Sequence, residues 1–101
     1  MEASAPLLLV VDVGNTCMVF GLYQGTDLAG RWQLSSERKM TGDELALNLR
    51  GLTAAPPIRG ILAASVVPHL DGVLADACRQ VFGISPVFVG AAEVRTGLAV
   101  D

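Results

Sequence analysis

Asp12, Gly14, Asn15 and Thr16 crowd into one short bend of the string LLLVVDVGNTCMVFGLY, residues 7–23, between two apolar runs. A carboxylate, a flexible glycine, an amide and a hydroxyl gathered at a strand end suit an anion, because backbone N–H groups in such a bend can point at phosphate oxygens. Asp12 alone would repel a phosphate. A hydrated Mg2+ between them removes the conflict: the carboxylate holds the metal or one of its waters, and the Thr16 hydroxyl donates to a phosphate oxygen. The same residues also allow a plain hairpin, in which Asp12 and Asn15 make local turn hydrogen bonds and Gly14 supplies a positive φ. Neither the Gly-x-Gly-x-x-Gly nor the Gly-x-x-x-x-Gly-Lys pattern occurs, so dinucleotide-binding and P-loop readings lack support.

The elements that must position this bend follow from period and punctuation. Residues 7–13 are a continuous Val/Leu run, which predicts a central strand covered on both faces. CMVFGLY predicts a second strand, QGTD a turn and LAGRWQLS a third, together an antiparallel meander. Thr41 and Glu44 have capping-box spacing, so a helix starts there, with Leu45, Leu49 and Leu52 on one face and TAAPP ending it. IRGILAASVV predicts a fourth strand. Pro68 suits a first helical turn, Leu70, Val73, Leu74, Ala77 and Val81 make an apolar stripe, and Gly83 stops that second helix. SPVFVG predicts a fifth strand. The order β-β-β-α-β-α-β describes an α/β domain: an open, mixed five-stranded sheet with flanking helices acting as crossovers between parallel strands.

Composition narrows the function classes. A chain of 101 residues fits one domain and can bury roughly 65% of the surface that it exposes when unfolded. Hydrophobic residues make up 51% of it and mean hydropathy is +0.50, so it is no disordered tail. The net charge of -3 argues against nonspecific nucleic-acid binding, and Arg38 with Lys39 in SSERK reads as a solvated loop. The apolar runs are too short and interrupted to span a bilayer, and MEASAP lacks signal-peptide features, so a cytoplasmic location is expected. Cys17 and Cys78 have no partner at metal or redox spacing and read as buried free thiols.

The ordered set DVGNT, Gly21-Leu22, RWQLSSER, TGDEL, ILAASVVPHL, FVG and a closing TGL resembles the amino-terminal half of a type III pantothenate kinase, from about residue 7 to the end of the chain. That family is of the acetate and sugar kinase, Hsc70 and actin superfamily, so the resemblance implies a ribonuclease H-like, actin-like ATPase domain. It also implies ATP-dependent phosphorylation of pantothenate, the first step toward coenzyme A, with ATP bound in a cleft between two related domains. The first phosphate loop is thereby carried onto Asp12, Val13, Gly14, Asn15 and Thr16, with Asp12 as the metal-side carboxylate. Cys17, Met18 and Val19 match the rest of the ATP-binding segment and position it by packing. Implied cofactors are Mg2+ and a monovalent cation, K+ or NH4+, held mainly by the other half; implied partners are ATP, pantothenate, a second domain and a second copy in a homodimer.

Family members are more than twice this length and carry, shortly after the TGL segment, a Gly-x-Asp-Arg motif whose Asp is the general base. Asp101 ends this sequence, has no Arg after it and receives no catalytic role. The expectation is therefore that residues 1–101 are the amino-terminal domain of a two-domain kinase, compact over about 7–90 and inactive alone. A noncatalytic accessory or regulatory binding module is the alternative of a different class. Ser65, ending the fourth strand, is a candidate for the substrate side, since ligands collect at the carboxyl ends of parallel strands, although a Ser before a helix is also an ordinary cap. Thr96 and Gly97 have similar standing. His69 lies in a first helical turn, Trp32 and Tyr23 in strand patterns, and Asp43 and Glu44 at a helix start; structural roles suffice for all of them.

Overall fold

The computed structural model describes residues 6–37, 39–52 and 58–90. Strands β1 (Leu7–Val13), β2 (Cys17–Gln24) and β3 (Asp27–Ser35) form the expected meander. Helix α1 (Gly42–Leu49) and a 3-10 turn over Arg50–Leu52 lead to β4 (Ile58–Ser65); α2 (Pro68–Phe82) then leads to β5 (Val87–Phe88). The sheet order is β3-β2-β1-β4-β5, with β4 parallel to β1, β5 parallel to β4 and the other pairs antiparallel. The mixed five-stranded α/β fold and its element order are as the sequence predicts.

Local chemistry explains the helix ends. Glu44 N–H donates to Thr41 Oγ1 at 3.1 Å while Thr41 N–H donates to Glu44 Oε1 at 2.9 Å, the reciprocal capping box. Pro68 takes the first position of α2, where its missing N–H costs nothing, and Gly83 closes that helix at φ 76°, a left-handed conformation open to glycine. Gln80 Nε2 pins the helices together by donating to Asp43 Oδ1 at 2.9 Å and to Asp76 Oδ2 at 3.1 Å.

Both helices lie on one face of the sheet; on the other face of β1, Val10 is buried and Leu8 and Asp12 are half-buried, so the expected cover on both faces is partial on that side. Leu7, Leu9, Val11 and Val13 of β1 and Met18, Phe20 and Leu22 of β2 pack with Leu45, Leu49, Leu70, Leu74 and Cys78 into the main core. Each fully buried Leu or Phe there contributes about 1.5–3 kcal/mol. An extra residue in β4, Arg59, shifts the ladder between Leu7 and Leu8, and this bulge lets Ile58 and Ile61 both face the helices. On the other face, buried Val10 and Ala64 form a small cluster with the partly buried Leu8, Val19, Tyr23 and Val89.

Other departures have local causes. β4 ends at Ser65 rather than Val67, because Val67 N–H donates to Ser65 Oγ at 3.0 Å and turns the chain. β5 has only two residues, although Val89 N–H donates to Ala63 O at 2.8 Å. Pro86, just before it, cannot donate to a ladder. Leu52 closes the 3-10 turn rather than α1; its side chain, like the stretch TAAPP, lies outside the described residues. Tyr23 joins the smaller cluster, whereas Trp32, expected to pack, is exposed on the edge strand with its ring over Gly30. No helix among the described residues is long and apolar enough to cross a membrane.

Burial pushes the Cys78 thiol from its ordinary 9.0 up to about 12, against a weaker downward pull from the Arg79 guanidinium. Below pH 9 the thiol is neutral whether the chain is folded or unfolded, and its burial contributes fully; between 9 and 12 the unfolded chain sheds the proton first, so stability falls. The stability advantage of the native protein over Cys78→Ala in urea denaturation therefore narrows as pH rises through this window. A constant difference would contradict the buried placement.

Candidate functional site

Because β1, β3, β4 and β5 all run the same way, their carboxyl ends share one rim of the sheet, and β2 begins there. Open α/β sheets gather ligands at such a rim. The bend Gly14–Thr16 sits on it between β1 and β2, with Val13 opposite Met18 and Val13 beside Ser65.

Within the bend the Gly14 and Thr16 carbonyls are taken up by protein, as are those of the flanking Val13 and Cys17. Val13 O accepts from Val66 N–H at 3.0 Å, Thr16 O from Ser36 N–H at 2.9 Å and Cys17 O from Gly14 N–H at 2.9 Å. The Ser36 hydroxyl donates to Gly14 O at 2.6 Å. Among the described residues, by contrast, no backbone carbonyl accepts from Asn15 or Thr16 N–H, and both residues are exposed. The bend thus offers amide donors outward, an arrangement suited to phosphate oxygens.

Its turn chemistry differs from the plain hairpin reading. Gly14 has no positive φ, nor does Asn15 or Thr16. Space at 14 is tight: a Cβ there would stand 3.2 Å from Cys17 O, the acceptor of the Gly14 N–H, so the neighbour would have to give by a few tenths of an ångström. The primed turns that favour two-residue hairpins need a positive φ, so this bend is neither.

Asp12 is half-buried, in register with Val19 on β2 and Ala64 on β4. By strand alternation it leaves the sheet on the face opposite the helices, and its Oδ1 is buried there. Among the described residues no three of His, Cys, Asp and Glu converge to form a metal cage. A single carboxylate fits Mg2+ that arrives with a nucleotide, since that ion keeps several waters and takes the rest of its oxygens from phosphate.

The other candidates fall in different places. Val13 and Met18 are buried in the main core, so only their backbones can reach a ligand. Val19 packs in the smaller cluster beside Asp12. Cys17 is half-buried, and Gln33 Nε2 donates to its Sγ at 3.3 Å. Ser65 shares the rim, but beside Val13 it leaves on the helix face rather than on that of Asp12. Its Oγ donates to Val67 O at 3.2 Å and accepts from Val67 N–H, while Val67 itself is the cap residue of α2. Thr96, Gly97 and Asp101 lie outside the described residues. Sequence reasoning missed Ser36, which it left in a solvated polar run; pairing Cys17 with Ser35 in the meander would have put Ser36 beside Thr16. A cavity of about 350 Å3 lined by Leu34, Ser35, Glu37, Lys39, Met40, Glu44 and Asn48 lies along α1 and includes none of the bend.

The family model for type III pantothenate kinase matches residues 8–101. A type III pantothenate kinase of Pelobacter propionicus is 35% identical over 99 residues, covering 93% of this chain and 39% of the relative. Those of Halalkalibacterium halodurans and Syntrophotalea carbinolica are 37% and 39% identical, covering 91% and 93% of this chain and 38% of each relative. The chain thus spans under two fifths of the length of these relatives. Among solved structures, the Aquifex aeolicus PPX-GPPA enzyme aligns with TM-score 0.46 and 14% identity over 80% of this chain and 31% of that one. An exopolyphosphatase-like protein aligns with TM-score 0.48 and 14% identity over 86% and 33%. Likenesses at this level carry no functional argument.

Gly14→Ala tests the crowding at the bend. The new methyl weakens the bond from residue 14 N–H to Cys17 O, so that amide exchanges with solvent roughly fivefold faster or more, while unfolding free energy changes by less than about 1 kcal/mol. Unchanged exchange at residue 14 would show that the bend has room to spare.

Proposed function

The chain belongs to the type III pantothenate kinase family, and from that premise we propose that it supplies the phosphate-binding, amino-terminal domain of an ATP-dependent pantothenate kinase. The observation that carries this reading is the polarity of the bend. Its Gly14 and Thr16 carbonyls are held by Ser36, while Asn15 and Thr16, both exposed at the rim, have N–H groups from which no described backbone carbonyl accepts.

In this proposal the Asn15 and Thr16 N–H groups and the Thr16 hydroxyl donate to phosphate oxygens of ATP. Asp12 holds the Mg2+ of the nucleotide or one of its waters, and that ion offsets charge on the phosphates when bound. Phosphoryl transfer depends on positioning and on compensating charge around the transferred group. The described residues supply the nucleotide side of that arrangement. The proton of the pantothenate hydroxyl goes to a carboxylate outside them, as the family resemblance implies, and Ser65 is kept as a rim residue on the substrate side. A bound K+ or NH4+, a homodimer and a cytoplasmic setting belong to the same proposal and rest on that resemblance.

Pantothenate-dependent ADP release by the full-length protein tests the function. Asp12→Ala is expected to lower kcat/KM for Mg-ATP at least tenfold with an unchanged circular dichroism spectrum, since loss of one charge-assisted contact is worth about 1.5–3 kcal/mol. Unaltered ATP kinetics would remove Asp12 from the site. Nucleotide binding without pantothenate turnover would leave an accessory binding module in place of the kinase.

A further inference from the structure

Ser36 touches the bend twice from 20 or more residues away in sequence: its hydroxyl donates to Gly14 O at 2.6 Å, and its N–H donates to Thr16 O at 2.9 Å. The side chain is partly buried, and it follows directly on β3, whose last residue, Ser35, pairs with Cys17. A trans peptide unit is planar and directs its C=O and N–H to opposite sides. Fixing Gly14 O therefore also fixes the direction of Asn15 N–H, which belongs to the same unit. Fixing Thr16 O does the same for Cys17 N–H.

We infer that Ser36 is a positioning residue for nucleotide binding, holding two peptide planes of the bend so that the Asn15 N–H points away from β3 toward the phosphates. The inference rests on the proposed function and adds to it a residue from a different strand. Without the hydroxyl, the Gly14–Asn15 plane loses its anchor and can rotate, and the donors must then be ordered by the ligand itself. Ordering on binding lowers affinity, whereas preorganisation raises it. Contacts elsewhere on the rim do not depend on this plane, so the effect is confined to the nucleotide.

The test is calorimetric titration of the full-length protein with the magnesium complex of a non-hydrolysable ATP analogue, and separately with pantothenate. Ser36→Ala is expected to weaken the nucleotide analogue roughly three- to tenfold, the range of one net hydrogen bond. Pantothenate affinity should stay unchanged, and Ser36→Thr, which keeps a hydroxyl, should recover most of the loss. Native-like affinity in Ser36→Ala overturns the inference, as does an equal loss for both ligands that Ser36→Thr fails to restore. If the unmodified protein binds no nucleotide analogue, the functional reading falls and this inference with it; binding by the unmodified protein and by Ser36→Ala alike overturns the inference alone.

Discussion

Strand β1 has hydrogen-bonded neighbours of opposite sense on its two edges, β2 antiparallel and β4 parallel. The antiparallel neighbour can be reached through a short bend, whereas the parallel one requires the chain to travel away and return. Both arrangements meet at the carboxyl end of β1. There the Val13 carbonyl is held by Val66 from the β4 side, and the next carbonyls are held by Ser36 from the β3 side. With the Val13, Gly14 and Thr16 carbonyls engaged from both flanks, the bend has the Asn15 and Thr16 amide donors left for solvent or ligand. The arrangement of donors at this bend is thus a consequence of sheet topology more than of any single side chain.

The two faces of the sheet divide the work. Stability concentrates on the helix side, where α1 and α2 close over fully buried residues such as Leu9, Phe20, Leu45 and Leu74. Asp12 belongs to the other face, at the end of a strand whose preceding residues on that face are Leu8 and Val10. Burying a carboxylate in such surroundings is costly unless water, a donor or a cation reaches it. Asp12 stands half-buried at the rim, outside the main core. An acid can therefore stand there without interrupting the main core.

Much of this was legible in the sequence, for reasons that differ by element. The capping box at Thr41 and Glu44, Pro68 at the head of α2 and Gly83 at its end are local signals, and each acts through backbone groups within a few residues. The bounds of β1 were equally plain from its Val- and Leu-rich run, interrupted only at Asp12. Periodicity showed that both helices are amphipathic, but it could not show that they share a face, because that depends on crossover geometry. The bend was located correctly, yet its conformation was not legible: Gly14 has no positive φ, and its close approach to Cys17 O is made only once the hairpin has closed. Ser36 was hidden for the same reason. Its role depends on strand register across three strands, and in sequence it looks like any polar loop residue. Ser65 was seen at the rim, but its commitment to the Val67 backbone required coordinates.

Membership in the type III pantothenate kinase family and the outward amides of the bend converge on one claim, that the phosphates of a magnesium nucleotide rest on residues 14–17. Amide chemical shifts of the full-length protein, followed by nuclear magnetic resonance during titration with a magnesium-bound ATP analogue, address it directly. The account predicts that the largest saturable shifts occur at the Asn15, Thr16 and Cys17 amides. Saturable binding that leaves those amides unmoved while others shift would contradict it.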